Sequence, residues 1–182
     1  MRFSSLLEFD ARLSQKIRIA EKPGKLRLIA AFLAHSGDSW FWGTGLLLLW
    51  IFGSASWKKW AAVAFFGIAI LAALVLGIKF TVKRKRPEGE WGLLYRSTDP
   101  HSFPSGHAAR AFLLPVLTWG AGPLWLAILL AIWAPLVALA RVAMGVHYVS
   151  DILAGALLGL FMGGLVLAVY PEVFSAILSL VG

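Results

Sequence analysis

The chain has 182 residues, 59% of them hydrophobic, with a mean hydropathy of +0.79. A soluble globular domain holds roughly 45–50% apolar residues, and long uncharged runs here exclude a soluble enzyme, while the absence of cysteine excludes disulfides and thiolate metal sites. The net charge of +8 does not point to nucleic acid: the basic residues are segregated into Arg2–Arg27, Lys58–Lys59 and Lys79–Arg96, beside apolar runs, where they suit anionic lipid headgroups.

Residues 1–22 mix charge with Phe3, Leu6, Leu7, Leu13 and Ile17 at near-helical spacing, which predicts an amphipathic helix lying in the membrane interface. The same residues lack the continuous apolar stretch of a secretory signal. Pro23-Gly24 breaks this helix, and Leu26–His35 is apolar but short for a crossing. Ser36-Gly37-Asp38 reads as a turn, with Ser39 a candidate helix cap and His35 and Asp38 as capping and interfacial residues. Trp40–Phe52 is the first clear span, with tryptophan near both edges. Ser54–Lys59 is a tight loop. Trp60–Ile78 is the second span, and its helix is expected to run on through Arg86 until Pro87 ends it. Residues 88–103 are polar and turn-rich. Pro104-Ser105-Gly106-His107 opens the third span, which runs to about Trp119; Gly120–Pro123 turns the chain. Leu124–Ala140 is the fourth span, Arg141–His147 a junction, and Tyr148–Tyr170 the fifth, with Pro171 expected to stop it before a weak apolar tail.

A bilayer core about 30 Å thick needs ~20 apolar helical residues. The expectation is therefore an all-α fold: a transmembrane bundle of five to six membrane helices plus the N-terminal interfacial helix. It forms one domain over residues 1–182, with 1–25 amphipathic and 36–170 as the core.

Two spans separate His107 from Arg141, so Lys79–Arg86, Pro104–His107 and Arg141–Asp151 share one membrane face. On a continuous helix Lys79 and Arg86 are two turns apart and point the same way. Arg141 joins them from another helix end. Cations near a bilayer core cost about 2.5–3.5 kcal/mol each at its centre and tend to be functional. Three together suit a phosphate, and arginine binds two of its oxygens at once. Ser105, Gly106 and the free amides of a helix start form an anion site. His107 beside it is placed to protonate a leaving oxygen. His147 and Asp151 share a face if helical, and a carboxylate on one imidazole nitrogen leaves the other as a nucleophile. These parts meet the needs of phosphoryl transfer, which is mostly positioning and charge stabilisation.

The three segments resemble the signature of the type 2 phosphatidic acid phosphatase superfamily. Its K-x-x-x-x-x-x-R-P motif is matched by Lys79, Arg86 and Pro87. Its P-S-G-H motif is matched by Pro104, Ser105, Gly106 and His107. Its S-R-x-x-x-x-x-H-x-x-x-D motif is matched by Arg141, His147 and Asp151, with Ala140 in place of the serine. The resemblance implies that His147 is the nucleophile, oriented by Asp151, with His107 as acid and then base. Lys79, Arg86, Arg141, Ser105 and the Gly106 amide would hold the phosphate, with no metal or cofactor. The implied partner is a phosphorylated lipid in the bilayer: a polyprenyl phosphate or diphosphate, phosphatidic acid or phosphatidylglycerophosphate. A phosphotransferase using the same histidine, and a non-catalytic lipid binder, are the alternatives. Lys83, Arg84 and Lys85 read as a headgroup-facing charge run. Asp99 and His101 read as loop residues, and Trp91 and Tyr95 as interfacial anchors or entrance residues. The expected location is the plasma membrane, with the site on the extracytoplasmic face.

Overall fold

A computed structural model of the chain describes residues 3–89, 91 and 99–181, and the side chains of 5–89, 91 and 99–170. Among the described residues seven helices follow one another: α1 (Phe3–Ile17), α2 (Lys25–Ser36), α3 (Ser39–Phe52), α4 (Ala55–Val82), α5 (Gly106–Ala121), α6 (Leu124–Ala143) and α7 (Val149–Val181). Three of them are long and apolar enough to cross a membrane, at Ala55–Val82, Leu124–Ala143 and Val149–Tyr170. Their outer faces expose Phe65, Phe66, Leu129, Ile132, Leu157 and Phe161. Such a surface in water would be an aggregation liability, whereas against lipid tails it is at home.

The helix α5 is the hub and packs against α4, α6 and α7. Glycines recurring every fourth residue on α7 explain its close fit to α5. A Cβ at Gly155 would stand 2.5 Å from the Ser105 carbonyl, and one at Gly163 2.8 Å from Val116 Cβ, while one at Gly159 would strike the Ala109 carbonyl. Small residues let two backbones approach closely where lipid offers no hydrophobic drive for association. The contact fixes the register of the two helix starts: the Ser105 amide donates to the Asp151 carbonyl at 3.0 Å. The remaining faces of α5 pack Leu113 and Leu117 against Val63, Leu71 and Met162, and Ala111 against Ala134 and Val137.

Three expectations are corrected and the reading of α1 is extended. The helix α4 stops at Val82, not at Arg86: Lys83 takes a left-handed conformation (φ 52°) and its amide closes on the Lys79 carbonyl at 2.9 Å. Lys85 then pairs with His101 in an isolated bridge. Lys79 and Arg86 are therefore not on one helix face. The helix α7 passes through Pro171 to Val181, because a proline removes one backbone hydrogen bond, which a helix can absorb as a kink. In α1 the apolar residues Leu6, Leu7, Phe9 and Leu13 face outward, as an interfacial helix requires, but the opposite face is not solvated: Asp10 and Ser14 are buried against the start of α7. Finally Asp38, not Ser39, stands at the N-cap of α3, and its side chain makes no capping bond there.

Candidate active site

The site lies where the α6–α7 junction, the start of α5 and the end of α4 meet. His147 precedes α7 and is not part of it, so its pairing with Asp151 is not a helical i,i+4 contact, as the spacing suggested. Asp151 turns back instead: its Oδ2 accepts from the Tyr148 amide at 2.9 Å and lies 3.4 Å from His147 Nδ1, long for a hydrogen bond. Both side chains are sealed from solvent, at 1% and 0% exposure. On the other edge of the ring, Arg86 Nη1 meets Nε2 at 3.2 Å. A guanidinium can only donate. Nε2 is therefore an acceptor, which puts the ring proton on Nδ1, facing Asp151. Burial first, then the Arg86, Arg141 and Lys79 charges, push the His147 imidazole well below the ordinary histidine range. The ring is neutral and carries its lone pair on Nε2.

Lys79 and Arg86 converge without sharing a helix, because both reach the carboxylate of Asp99. Asp99 Oδ2 accepts from Lys79 Nζ and, at 2.7 Å, from Arg86 Nη2, while Arg86 Nε donates to the Asp99 carbonyl at 2.7 Å. Arg86 Nη1 also donates to the Val146 carbonyl at 2.8 Å, which fixes the guanidinium against the His147 junction. Arg141 is buried, donates to the Ala34 carbonyl at 3.3 Å, and puts its charge on His147, His107 and Lys79. Asp99 thus sits as an anion among the cations, a role its place in a polar loop did not signal. Replacing it with asparagine should tighten inhibition by inorganic phosphate about fivefold, equivalent to about 1 kcal/mol for a part-exposed ion pair. Weaker inhibition would mean that Asp99 instead braces the two cations.

At the start of α5, Ser105 is buried and its Oγ accepts from the Ala108 amide at 3.3 Å, the bond of a helix N-cap. Its hydroxyl hydrogen remains free to donate. Gly106, His107, Lys79, Asp99, Arg110 and His147 line the polar end of a cavity of about 200 Å³, whose other wall is apolar α4 surface that includes Leu71 and Val75. A larger cavity, about 290 Å³, opens on the α1 side of His147 beside Arg18, Glu88 and Tyr148; neither Lys79 nor His107 reaches it. Among the described residues, no three histidine, aspartate or glutamate side chains could hold a metal ion.

Two further site residues, Arg84 and Asp10, were barely signalled by the sequence. Arg84 does not face headgroups. It donates to Asp151 Oδ1 at 2.8 Å, Ser150 Oγ at 2.6 Å and Asp10 Oδ2 at 2.7 Å, and lies 4.0 Å from the Tyr148 ring. Asp10 in turn accepts from the Ser150 amide at 3.0 Å and contacts its hydroxyl, tying α1 to the start of α7. The signal was faint: Asp10 and Ser14, four residues apart, mark one polar stripe on α1. His101 stacks edge-on with Phe80 and does not line the cavity. Trp91 packs beside the His35 ring, and Tyr95 lies outside the described residues. Ala140 is buried in an apolar cluster with Ala30, Ala34 and Met144, where a serine hydroxyl would need a partner.

Helices long and apolar enough to cross a bilayer carry, at one end, a buried neutral histidine beside the clustered cations Lys79, Arg86 and Arg141. Comparison with known proteins gives the family. Residues 60–175 match the model of the PAP2 superfamily, and the chain belongs to it. It is 32% identical over 153 residues to the decaprenylphosphoryl-5-phosphoribose phosphatase of Mycobacterium tuberculosis, covering 81% of this chain and 82% of that one. It is 30% identical over 115 residues to the lipid A 1-phosphatase of Porphyromonas gingivalis; the match takes in 62% of this chain but only 24% of that longer protein. In fold it resembles the transmembrane PAP2-type phosphatidylglycerolphosphate phosphatase of Bacillus subtilis. The TM-score is 0.72 at 22% identity, over 92% of this chain and 87% of that one.

Proposed function

We propose that the chain is an integral-membrane lipid phosphate phosphatase that works through a phosphohistidine on His147. One observation carries this reading: the Arg86 guanidinium holds His147 Nε2 at one nitrogen and the Asp99 carboxylate at another. A phosphate taking the place of that carboxylate is one guanidinium away from the nucleophilic lone pair. The apolar α4 wall of the same cavity suits the lipid chain.

The Nε2 lone pair attacks phosphorus, the bond from phosphorus to the lipid oxygen breaks, and that oxygen takes a proton from His107. Asp151 balances the positive charge on the phosphorylated ring. Water then yields a proton to His107 as its oxygen attacks phosphorus. The phosphorus–nitrogen bond breaks, and inorganic phosphate leaves a neutral His147. Lys79, Arg86 and Arg141, with the Ser105 hydroxyl and the Gly106 amide at the start of α5, stabilise the charge on the transferring group. No step needs a metal.

The substrate class is a phosphomonoester or diphosphate on a lipid, in keeping with relatives named as phosphatases of lipid-borne phosphates. The single domain lies in the plasma membrane with five to six crossings, α3 and α5 adding to the three long helices. Its site faces away from the cytoplasm; a Trp91→Cys variant that an impermeant thiol reagent fails to label in intact cells, yet labels after lysis, would reverse that orientation. The purified protein in detergent with EDTA should release phosphate from at least one of polyprenyl diphosphate, polyprenyl phosphate, phosphatidic acid and phosphatidylglycerophosphate. Release from none of them, or loss of release on adding EDTA, would sink the reading.

A further inference from the structure

Asp38 occupies the N-cap of α3, a position where aspartate normally bonds the free amides of its own helix. It does not do so here. Its Oδ1 lies 2.7 Å from His107 Nε2, and its Oδ2 3.0 Å from His35 Nδ1 and 3.3 Å from Trp40 Nε1. The turn that carries it is clipped to α5 on both sides of Asp38. Arg110, one helical turn beyond His107, donates to the Gly37 carbonyl and, at 2.7 Å, to Ser39 Oγ. Gly37 leaves room for the ring: a Cβ there would stand 3.2 Å from His107 Cδ2 and 3.1 Å from Val137 Cγ1. The Cδ2–Nε2 edge of His107 therefore faces the turn. The Nδ1–Cε1 edge faces the other way, in a residue that lines the cavity shared with Lys79, Asp99 and His147.

We infer that Asp38 is a positioning residue for His107: it holds the Nε2 proton and leaves Nδ1 to serve the leaving oxygen. The inference rests on the reading of His107 as the acid of the reaction. An acid here must carry two ring protons, one on each nitrogen, and therefore a positive charge. Burial opposes that charge most strongly, followed by Arg141 and then Arg110, and Lys79 lines the same cavity. Asp38 is the carboxylate bonded to the ring. Burial works to raise the Asp38 carboxyl, but the hydrogen bonds and charge interactions with His107 and His35 together outweigh it and hold the group well below the usual carboxylate range, so it remains an anion. In the first step Nδ1 gives its proton to the lipid oxygen as the phosphorus–oxygen bond breaks, and the ring is left neutral with Nε2–H on Asp38. In the second step Nδ1 takes a proton from the attacking water.

The test compares leaving groups. An aliphatic alcohol is about as weak an acid as water and needs the proton. A nitrophenol is a stronger acid than a tyrosine phenol, which is near 10, and needs it much less. General acid catalysis contributes typically 10²–10⁴-fold. Asp38→Asn keeps the side-chain size and the helix-capping character, and Asp38→Ser keeps only the capping character. Both should lower kcat/KM for a lipid phosphate with an alcohol leaving group by about 10²-fold. The fall for nitrophenyl phosphate should be less than about fivefold, with melting temperatures close to that of the unaltered protein. His107→Gln, run alongside, should show the same split to a greater degree. Equal losses on both substrates, or no loss on either, would overturn the role of Asp38 when His107→Gln still shows the split. If His107→Gln shows none, the assignment of the acid fails and the role of Asp38 fails with it.

Discussion

His147→Ala is expected to reduce phosphate release to the uncatalysed background, a loss of about 10⁴–10⁶-fold if the histidine behaves as nucleophiles of other covalent enzymes do. The expectation follows from what surrounds the ring. Its neutral state is enforced by burial and by Arg86, Arg141 and Lys79, and its acceptor nitrogen is fixed by a donor-only guanidinium. No other described imidazole shares these features: His107 is bonded through Nε2 to Asp38, His35 lies at 45% side-chain exposure, and His101 stands edge-on to Phe80 outside the cavity. The cations stay in place in the variant, so binding of inorganic phosphate should persist while turnover disappears. Release assays with the variant, alongside a phosphate-binding measurement, separate the two effects. Retention of more than about one hundredth of the activity would remove His147 from the chemistry.

The second large effect is expected for Asp151→Asn. Asp151 Oδ1 faces Arg84, which can only donate, so the asparagine must put its carbonyl oxygen there. Its amino group then falls where Oδ2 was, against the Tyr148 amide and His147 Nδ1. Three donors would meet, and the histidine can relieve the clash only by moving its proton to Nε2. That is the tautomer with no lone pair for phosphorus. The kcat should fall about 10²–10⁴-fold with KM little changed, as when the orienting acid of another histidine site is made an amide. Arg84→Gln should cost less, about tenfold in kcat and about 2 kcal/mol of stability from lost charged hydrogen bonds. It leaves the Asp151 charge intact and only loosens its aim. A fall for Arg84→Gln as deep as that for Asp151→Asn would show that the arginine itself takes part in binding the substrate.

The convergence of Lys79, Arg86, His107, Arg141, His147 and Asp151 was legible because the order of the apolar helices brings their segments to one end of the bundle, whatever the detailed geometry. The local route was not. The break after Val82 depends on Lys83 adopting a left-handed backbone, and nothing in Val-Lys-Arg-Lys-Arg replaces the glycine or asparagine that usually announces one. On the continuous helix the sequence suggested, Arg84 points away from Lys79. With the break it swings into the site and holds Asp151. The hidden side of α1 was obscure for a related reason: an amphipathic helix with an apolar outer face looks interfacial, and only tertiary packing shows that Asp10 caps the α7 start. Asp38 was masked by its own position, since an aspartate before a helix reads as a cap. Asp99 has no pattern at all, being one acid in a polar loop that happens to close on two cations.

The most direct measurement is to quench the turning-over protein rapidly in denaturant at high pH, where phosphohistidine survives, and map the bound phosphate by mass spectrometry. The lipid best hydrolysed in the panel would be the substrate. The account predicts phosphate on His147 within the first turnover, no adduct in His147→Ala, and accumulation in a His107→Gln variant given a nitrophenyl phosphate, because the base for the second step is gone. Efficient release of phosphate with no adduct on His147 at any time point would contradict it, and would mean that water attacks the substrate directly.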